Sequence, residues 1–475
     1  MNFEAVIGLE IHVEMKTNSK MFSTAPVRFG SLPNTNVMPL DFAFPGTMPV
    51  VNKQAVINAI RVAHALHMTI DHELWFDRKN YFYSDLPKGY QITQDKRPIG
   101  RNGYLDLETS RGLRHIEIER IHMEEDTCKQ LHLGDCSLLD YNRAGTPLIE
   151  IVSRPDLRTG EEARKYVEMI RSIVIFSDVS DGKMEEGSLR CDVNISLRPV
   201  GSEKFGTKVE IKNLNSTANI ERAIEVEIER QTQLLLLGQA VEQETRRFDE
   251  ATRETILMRK KTDAVDYKYF TEPNITPIRL SDEFIENAIR TCPMLAEEKR
   301  KIYKEKYELG DYDIEQLLSN KDVSNYFDQV VAHTSQYKLA CNWVMVDVMA
   351  YLNKEGISIQ EFKVSPDNLA KLINMIQKGT ISSKQSRQVF EVMVKENEDP
   401  EKIAKDLHLV QMSDTSMIRD LVLQVLAENP QSIEDFKNGK DRAVGFLVGM
   451  VMKKSQGKAN PQITNQMIVE ELKKR

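Results

Sequence analysis

The sequence predicts an α+β fold: a largely antiparallel sheet with a few helices, followed by an all-α remainder. Three observations carry that prediction. Up to about residue 290 of 475, short stretches alternate apolar and polar residues with the period of two that marks half-buried strands. Turn pairs such as Asn102-Gly103 and Asp181-Gly182 separate them, as hairpin sheets require. Beyond residue 281 the apolar residues recur with a helical period instead.

The elements follow in order. In VIGLEIHVEM (6–15), Leu9, Ile11, Val13 and Met15 alternate with Glu10, His12 and Glu14, so one strand face is apolar and the other ionisable. NKQAVINAIRVAHALHM (52–68) reads as a helix. RKNYFYSDLPKGYQITQ (78–94) reads as a strand and hairpin around a Pro-Lys-Gly turn, or as a basic and aromatic surface able to hold phosphates and bases. LRHIEIERIHM (113–123), SLRCDVNISLRP (188–199) and TKVEIKNLN (207–215) are strands, and TANIERAIEVEIERQTQLLLLG (217–238) is a helix closed by Gly238. Ser365-Pro366 supplies an N-cap and first turn, Leu369, Leu372, Ile373 and Ile376 an apolar stripe, and Gly379 a stop. Asp399-Pro400 starts another helix, and two or three more are expected around GFLVGMVMKKSQGKANP (445–461).

Composition narrows the class. No apolar run approaches the ~18 residues of a membrane helix, and MNFEAV has neither the basic nor the apolar region of a signal peptide, so a cytoplasmic protein is expected. Five cysteines without a CxxC indicate neither a disulfide framework nor a cysteine zinc site. Net charge is −8, but residues 437–458 carry +5 through Lys437, Lys440, Arg442, Lys453, Lys454 and Lys458 against Asp441. One positive region on an acidic body is the implied pattern.

Glu150 is the sharpest anomaly, a carboxylate between Ile149 and Ile151 in PLIEIV. Burying it requires a partner, either a cation such as Arg143 or a bound metal. Glu124, Glu125 and Asp126 crowd one strand end, where a divalent cation relieves repulsion and exposed turn acids are the alternative. GKMEEGS (182–188) has Ser188 where a P-loop needs Lys, and no Cys or Ser lies in a nucleophile setting. These residues alone indicate an α+β protein with a divalent-metal site.

Taken together, VIGLEIHVEM, RKNYFYSDLPKGYQITQ, LDYNRAGTPLIEIVSRPD, MEEGSLRCDVNISLRP, VEIKNLNS and GFLVGMVMKKSQGKANP resemble the B subunits of the aspartyl/glutamyl-tRNA amidotransferases. The resemblance runs from residue 6 to residue 461. It implies a cradle domain (1–292), a helical domain (293–406) and a small helical tail (407–475) that docks on tRNA. It also implies a reaction: ATP phosphorylates the side-chain carboxylate of Glu-tRNA(Gln), and in many bacteria of Asp-tRNA(Asn), and ammonia then displaces phosphate. Two partners are implied, the amidase (the A component) and a small bracing protein (the C component).

Residue by residue, the resemblance places His12, Glu125 and Glu150 on a Mg²⁺, with Glu10 and Glu124 near a second ion or its waters. An imidazole ligand also leaves Mn²⁺ open. Lys79, Lys88, Ser188 and Arg190 become expected contacts for ATP or substrate. Lys437, Lys440, Arg442, Lys453, Lys454 and Lys458 become the expected tRNA contacts. One departure stands out: where many members carry four zinc-binding cysteines, this chain has Ser23, Ala25, Met38 and Asp41, so no structural zinc is expected. A non-catalytic tRNA-binding scaffold and a metal-dependent phosphodiesterase are the rival readings.

Overall fold

The computed structural model describes residues 2–260, 266–409, 415–437, 442–455 and 459–474. Two compact units meet at Ala296 and Glu297. The first is built on a nine-stranded sheet. Its strands, with those of a smaller sheet, are β1 (Phe3–Glu14), β2 (Asp77–Asn80), β3 (Tyr90–Thr93), β4 (Gly100–Thr109), β5 (Gly112–Glu125), β6 (Pro147–Ser153), β7 (Leu189–Pro199), β8 (Val209–Lys212), β9 (Glu244–Asp249), β10 (Glu254–Lys260) and β11 (Phe270–Thr271). The large sheet runs β10-β9-β8-β7-β1-β6-β5-β4 and ends in the two-residue strand Thr69–Ile70. Every pairing in it is antiparallel except β8 with β9. β11, β2 and β3 form the smaller sheet, so the 78–94 stretch is indeed a strand and hairpin.

Alternation decides which face of the large sheet is buried. Ile7, Leu9, Ile11 and Val13 of β1 join Ile149 and Ile151 of β6, Ile121 and Met123 of β5, and Cys191 and Val193 of β7 in one apolar core. Three helices cover that face: α1 (Lys53–Ala65), α2 (Gly160–Phe176) and α3 (Thr217–Leu236). Each starts where its sequence offers a cap. Asn52 accepts from the amides of Gln54 and Ala55, Thr159 from Glu162, and Ser216 from Asn219. α2 and α3 approach so closely that a Cβ on Gly160 would stand 2.6 Å from the Glu221 carbonyl oxygen, which is why glycine begins α2. The opposite face of the sheet is left polar.

The loop after β1, which carries Ser23, Ala25, Met38 and Asp41, is held by a buried ion pair. Lys20 is fully enclosed, and its ammonium lies 3.2 Å from Asp41 Oδ2 and donates to the Tyr141 carbonyl. Asp41 also accepts from Ser23 Oγ and from the Met38 amide. Burial pulls the Lys20 ammonium below its ordinary range while Asp41 acts to raise it. Lys20→Met leaves Asp41 buried without its cation, and denaturant unfolding should show a loss of about 3 kcal/mol or more. A loss under about 1 kcal/mol would mean that Ser23 and the Met38 amide satisfy Asp41 alone.

The second unit is helical, as the period change implied. Ser365 caps helix Pro366–Gln377, Leu369, Leu372 and Ile373 are buried, and Gly379 closes it at φ +67°. Asp399 caps Pro400–Asp406 in the same way. Beyond residue 414 there are four helices among the described residues, Thr415–Glu428, Pro430–Lys437, Arg442–Lys454 and Pro461–Lys474, where two or three were expected. Ile418, Val422, Val425, Leu447, Val451, Ile468 and Leu472 form their core.

Candidate functional site

Register brings distant residues together on the polar face. His12 on β1 pairs with Glu150 on β6 and with Arg190 on β7, and Glu150 pairs in turn with His122 on β5. Cross-strand partners share a face, so Arg190, His12, Glu150 and His122 stand in one row. Glu124, two residues beyond His122, joins from the same side. His12 Nε2 lies 3.6 Å from Glu150 Oε2 and 4.0 Å from Glu124 Oε1, while His122 Nε2 lies 3.2 Å from Glu150 Oε2 and 3.6 Å from Glu124 Oε2. His122 and Glu124 are buried, whereas His12 keeps 22% of its side chain exposed and so faces an opening.

Two contacts in this region differ from those the sequence suggested. Arg143 does not meet Glu150; it lies 3.7 Å from Asp126 and donates to the carbonyls of Thr127 and Cys128. Two histidines take its place. Glu125, expected beside His12 and Glu150, instead pairs with Lys88 and accepts from the Ile92 amide at 3.0 Å. Strand parity is the reason, since Glu125 follows Glu124 and projects from the other side toward β3. His122 was missed, although it shares the parity of Glu124 in IHMEE.

Electrostatics ties the cluster together. Burial disfavours a charged His12, but the hydrogen bond and charge of Glu150, with Glu124, outweigh it and raise the imidazole above its usual range. His122 is raised to about 9 despite its burial, chiefly by the charge of Glu150. Burial works against the Glu150 carboxylate too, yet His122 and His12 hold it well below the usual range. Beside this row, Glu14 is raised to about 8 by burial and by Asp126, with which it hydrogen-bonds. Asp126 is locked in turn by Arg190, at 2.6 Å, and by Arg143.

The donors suit a small divalent cation. One ligand atom each from His12, Glu124 and Glu150 can be chosen so that all lie within 4.8 Å of one another. Ligands about 2.1 Å from an octahedral centre stand about 3 Å apart, so spacings of at most 4.8 Å need to close by less than about 2 Å. Glu10 belongs to a separate group with Asp192 and Glu210, where Lys212 pairs with both Asp192 and Glu210 and Asn194 donates to Glu10 at 2.9 Å. Burial, then Glu150 and Asp192, raise the Glu10 carboxyl.

The expected phosphate contacts divide. Lys79 has its ammonium 4.8 Å from the Tyr267 ring, beside Tyr81. Lys88 is engaged by Glu125. Ser188 donates to Asp181 and accepts from the Lys183 amide, so it pins the 181–188 turn rather than pointing free into the site. Arg190 gives one nitrogen to Asp126 and leaves Nε buried without a partner. In the tail, Lys437, Arg442 and Lys453 are exposed and Lys454 pairs with Glu428, while Lys440 and Lys458 lie outside the described residues.

Comparison with known proteins bears on the whole chain. Residues 5–286 match the family model of the GatB/GatE catalytic domain. The chain belongs to the GatB/GatE family. Residues 325–472 match a second model, the GatB domain. Among curated relatives, the proteins named as the B subunit of aspartyl/glutamyl-tRNA(Asn/Gln) amidotransferase from Geobacillus thermodenitrificans and Geobacillus kaustophilus are each 52% identical over the full length of both chains. The protein of that name from Lysinibacillus sphaericus is 50% identical, again over the full length of both. The GatB/GatE catalytic match covers every residue of the polar row. Among the described residues, no helix is long and apolar enough to cross a membrane.

Proposed function

We propose that this chain is the amidating B subunit of a tRNA-dependent amidotransferase, acting on Glu-tRNA(Gln) and on Asp-tRNA(Asn) in the cytoplasm with the amidase and the small bracing protein as partners. The observation that carries this reading is the row His12–Glu150–His122 with Glu124, a ligand-type cluster on an otherwise polar sheet face in a chain of this family. A mere scaffold has no use for a buried carboxylate clasped by two histidines. A metal-dependent phosphodiesterase would not need aminoacyl-tRNA.

The reaction needs a carboxylate made electrophilic. The side-chain carboxylate of the aminoacyl group attacks the γ-phosphorus of ATP, ADP leaves, and ammonia then attacks the acyl carbon as phosphate departs. Both steps gather negative oxygens on one spot. When bound, a divalent cation such as Mg²⁺ or Mn²⁺ would neutralise them, and His12, Glu124 and Glu150 are the residues that would hold it. The chain's own cations support this from the rim, Lys79 against its tyrosine rings and Arg190 fixed by Asp126. The test is ATP hydrolysis and amide formation by the assembled enzyme, each measured with and without Glu-tRNA(Gln); hydrolysis indifferent to the tRNA would sink the reading.

Ammonia has to come from elsewhere. Cys128, Cys191 and Cys341 are buried, and burial pushes the Cys128 and Cys341 thiols up to about 11 and Cys191 well above its usual range. Such thiols are inert toward an amide. With ATP, Mg²⁺ and Glu-tRNA(Gln), the isolated chain should therefore form Gln-tRNA from a high concentration of ammonium salt and not from glutamine. Glutaminase activity in the isolated chain would overturn this division.

The tail is proposed to hold tRNA through its exposed cations. Changing Lys437, Arg442 and Lys453 together to Ala should weaken tRNA binding and lower the salt slope by about two to three, while ATP hydrolysis in the absence of tRNA stays unchanged. An unaltered salt slope would place recognition outside these residues.

A further inference from the structure

Arg120 has no role in the row described above, yet it stands beside it. On β5 it lies two residues before His122, and it pairs across strands with Val152, whose other neighbour is Glu10. It therefore shares the polar face with Glu150 and Glu10, one step of about 7 Å from His122 along the strand. Its charge acts on the Tyr269 hydroxyl together with those of Glu124 and Asp95, which puts Tyr269 close to both Arg120 and the acidic cluster.

This guanidinium lacks what other arginines of the sheet possess. Arg190 meets Asp126, Arg198 meets Glu4 and Arg246 meets Glu244. Arg120 is half-buried, makes no ion pair or hydrogen bond among the described residues, and has its Nε shielded from solvent without an acceptor. Directly across from it on β4 is a second cation, Arg101, whose Nη2 donates to the Lys96 carbonyl at 2.6 Å. Like charges facing each other across a strand pair are unfavourable, and a partly buried guanidinium with no acceptor is costly. The acids nearest by register are both engaged: Glu150, a diagonal step of about 7–8 Å away on the adjacent strand, is held by His12 and His122, and Glu10, two strands away at about 9.6 Å, already accepts from Asn194. An arrangement of this kind becomes favourable when a ligand brings the missing oxyanion, which a guanidinium can grip with two parallel hydrogen bonds.

We propose that Arg120 is a substrate-binding residue of this site, taking two oxygens of a reacting oxyanion beside the His12–Glu150–His122 row. The inference rests on the function proposed above and deepens it. Two sources supply that oxyanion, the terminal phosphoryl group of ATP and the side-chain carboxylate of the aminoacyl group. Loss of either grip removes a contact to the charge that moves during phosphoryl transfer.

In the assembled enzyme, Arg120→Ala should lower amidation by about 10²–10³-fold, and Arg120→Lys should recover only part of it because an ammonium lacks the planar fork that grips two oxygens of one group in parallel. Added guanidinium ion should restore activity to Arg120→Ala. A raised KM for ATP together with slower tRNA-independent ATP hydrolysis assigns the phosphoryl group; unchanged ATP hydrolysis with lost amidation assigns the carboxylate. A second measurement needs no variant: phenylglyoxal labelling of Arg120 in the wild-type enzyme, read by peptide mass, should be slowed by ATP with Mg²⁺ or by Glu-tRNA(Gln). Arg120→Ala with wild-type kinetics, or labelling that neither substrate slows, overturns the proposal. Wild-type enzyme that fails to amidate sinks the broader reading instead, so the two failures are separate.

Discussion

Glu150→Gln in the assembled enzyme is expected to lower ATP-dependent amidation by more than about a hundredfold, and His12→Ala to do the same, with the fold intact in both. Loss of a residue that only orients a metal ligand costs about 10 to 100-fold, and loss of the ligand itself costs more. Glu150 is the centre of the row, since His12 and His122 both point their Nε2 atoms at its Oε2. The substitution keeps the size of the side chain and removes only the charge. The geometry adds a contrast that separates Glu150 from Glu125: Glu125→Gln breaks the pair with Lys88 and should reduce activity without weakening divalent-metal affinity. Mn²⁺ titration followed by electron paramagnetic resonance distinguishes the cases. Wild-type metal affinity in Glu150→Gln, or a loss in Glu125→Gln as large as in His12→Ala, would return Glu125 to the cluster in place of Glu150.

The parity of β1 was legible in the residues because alternation is local. Leu9, Ile11 and Val13 are enclosed, and Glu10, His12 and Glu14 face the site. Helix caps at Ser365 and Asp399 were legible for the same reason. What could not be read is register. Whether Glu150 meets Arg143 or a histidine depends on how β6 slides against β1 and β5, and a slip of one residue would turn its side chain to the other face. The grouping of Glu124 rather than Glu125 hangs on where β5 stops alternating. His122 was visible as a residue but not as a partner, and nothing in the sequence sets Arg120 apart from the other charges of its strand. Recognition of the family supplied the chemistry, while the placement of these groups came from the sheet.

A divalent ion and a proton compete for the row, and that competition sets the last expectation. In the metal-free chain His12 and His122 both hold their protons more tightly than a free imidazole, His122 up to about 9, against the Glu150 carboxylate. A histidine raised in this way contributes stability that is fully present below its unfolded value of about 6.5 and is lost as pH climbs through its folded value. Glu14, raised to about 8, contributes in the same direction from about 4.5 upward. The metal-free protein should therefore melt at a lower temperature at pH 9 than at pH 6.5. Glu150→Gln should remove the part of that fall due to the histidines, and Glu14→Gln the part below about pH 8. A metal that takes His12 Nε2 has to displace its proton, so Mg²⁺ or Mn²⁺ affinity should rise with pH, by up to tenfold per unit below the folded value of His12. Isothermal titration in two buffers of different ionisation heat counts the protons released. Metal binding that releases none, with an affinity flat from pH 6.5 to 8, would show that the ion sits away from His12 and that the row serves as a buried ion pair alone.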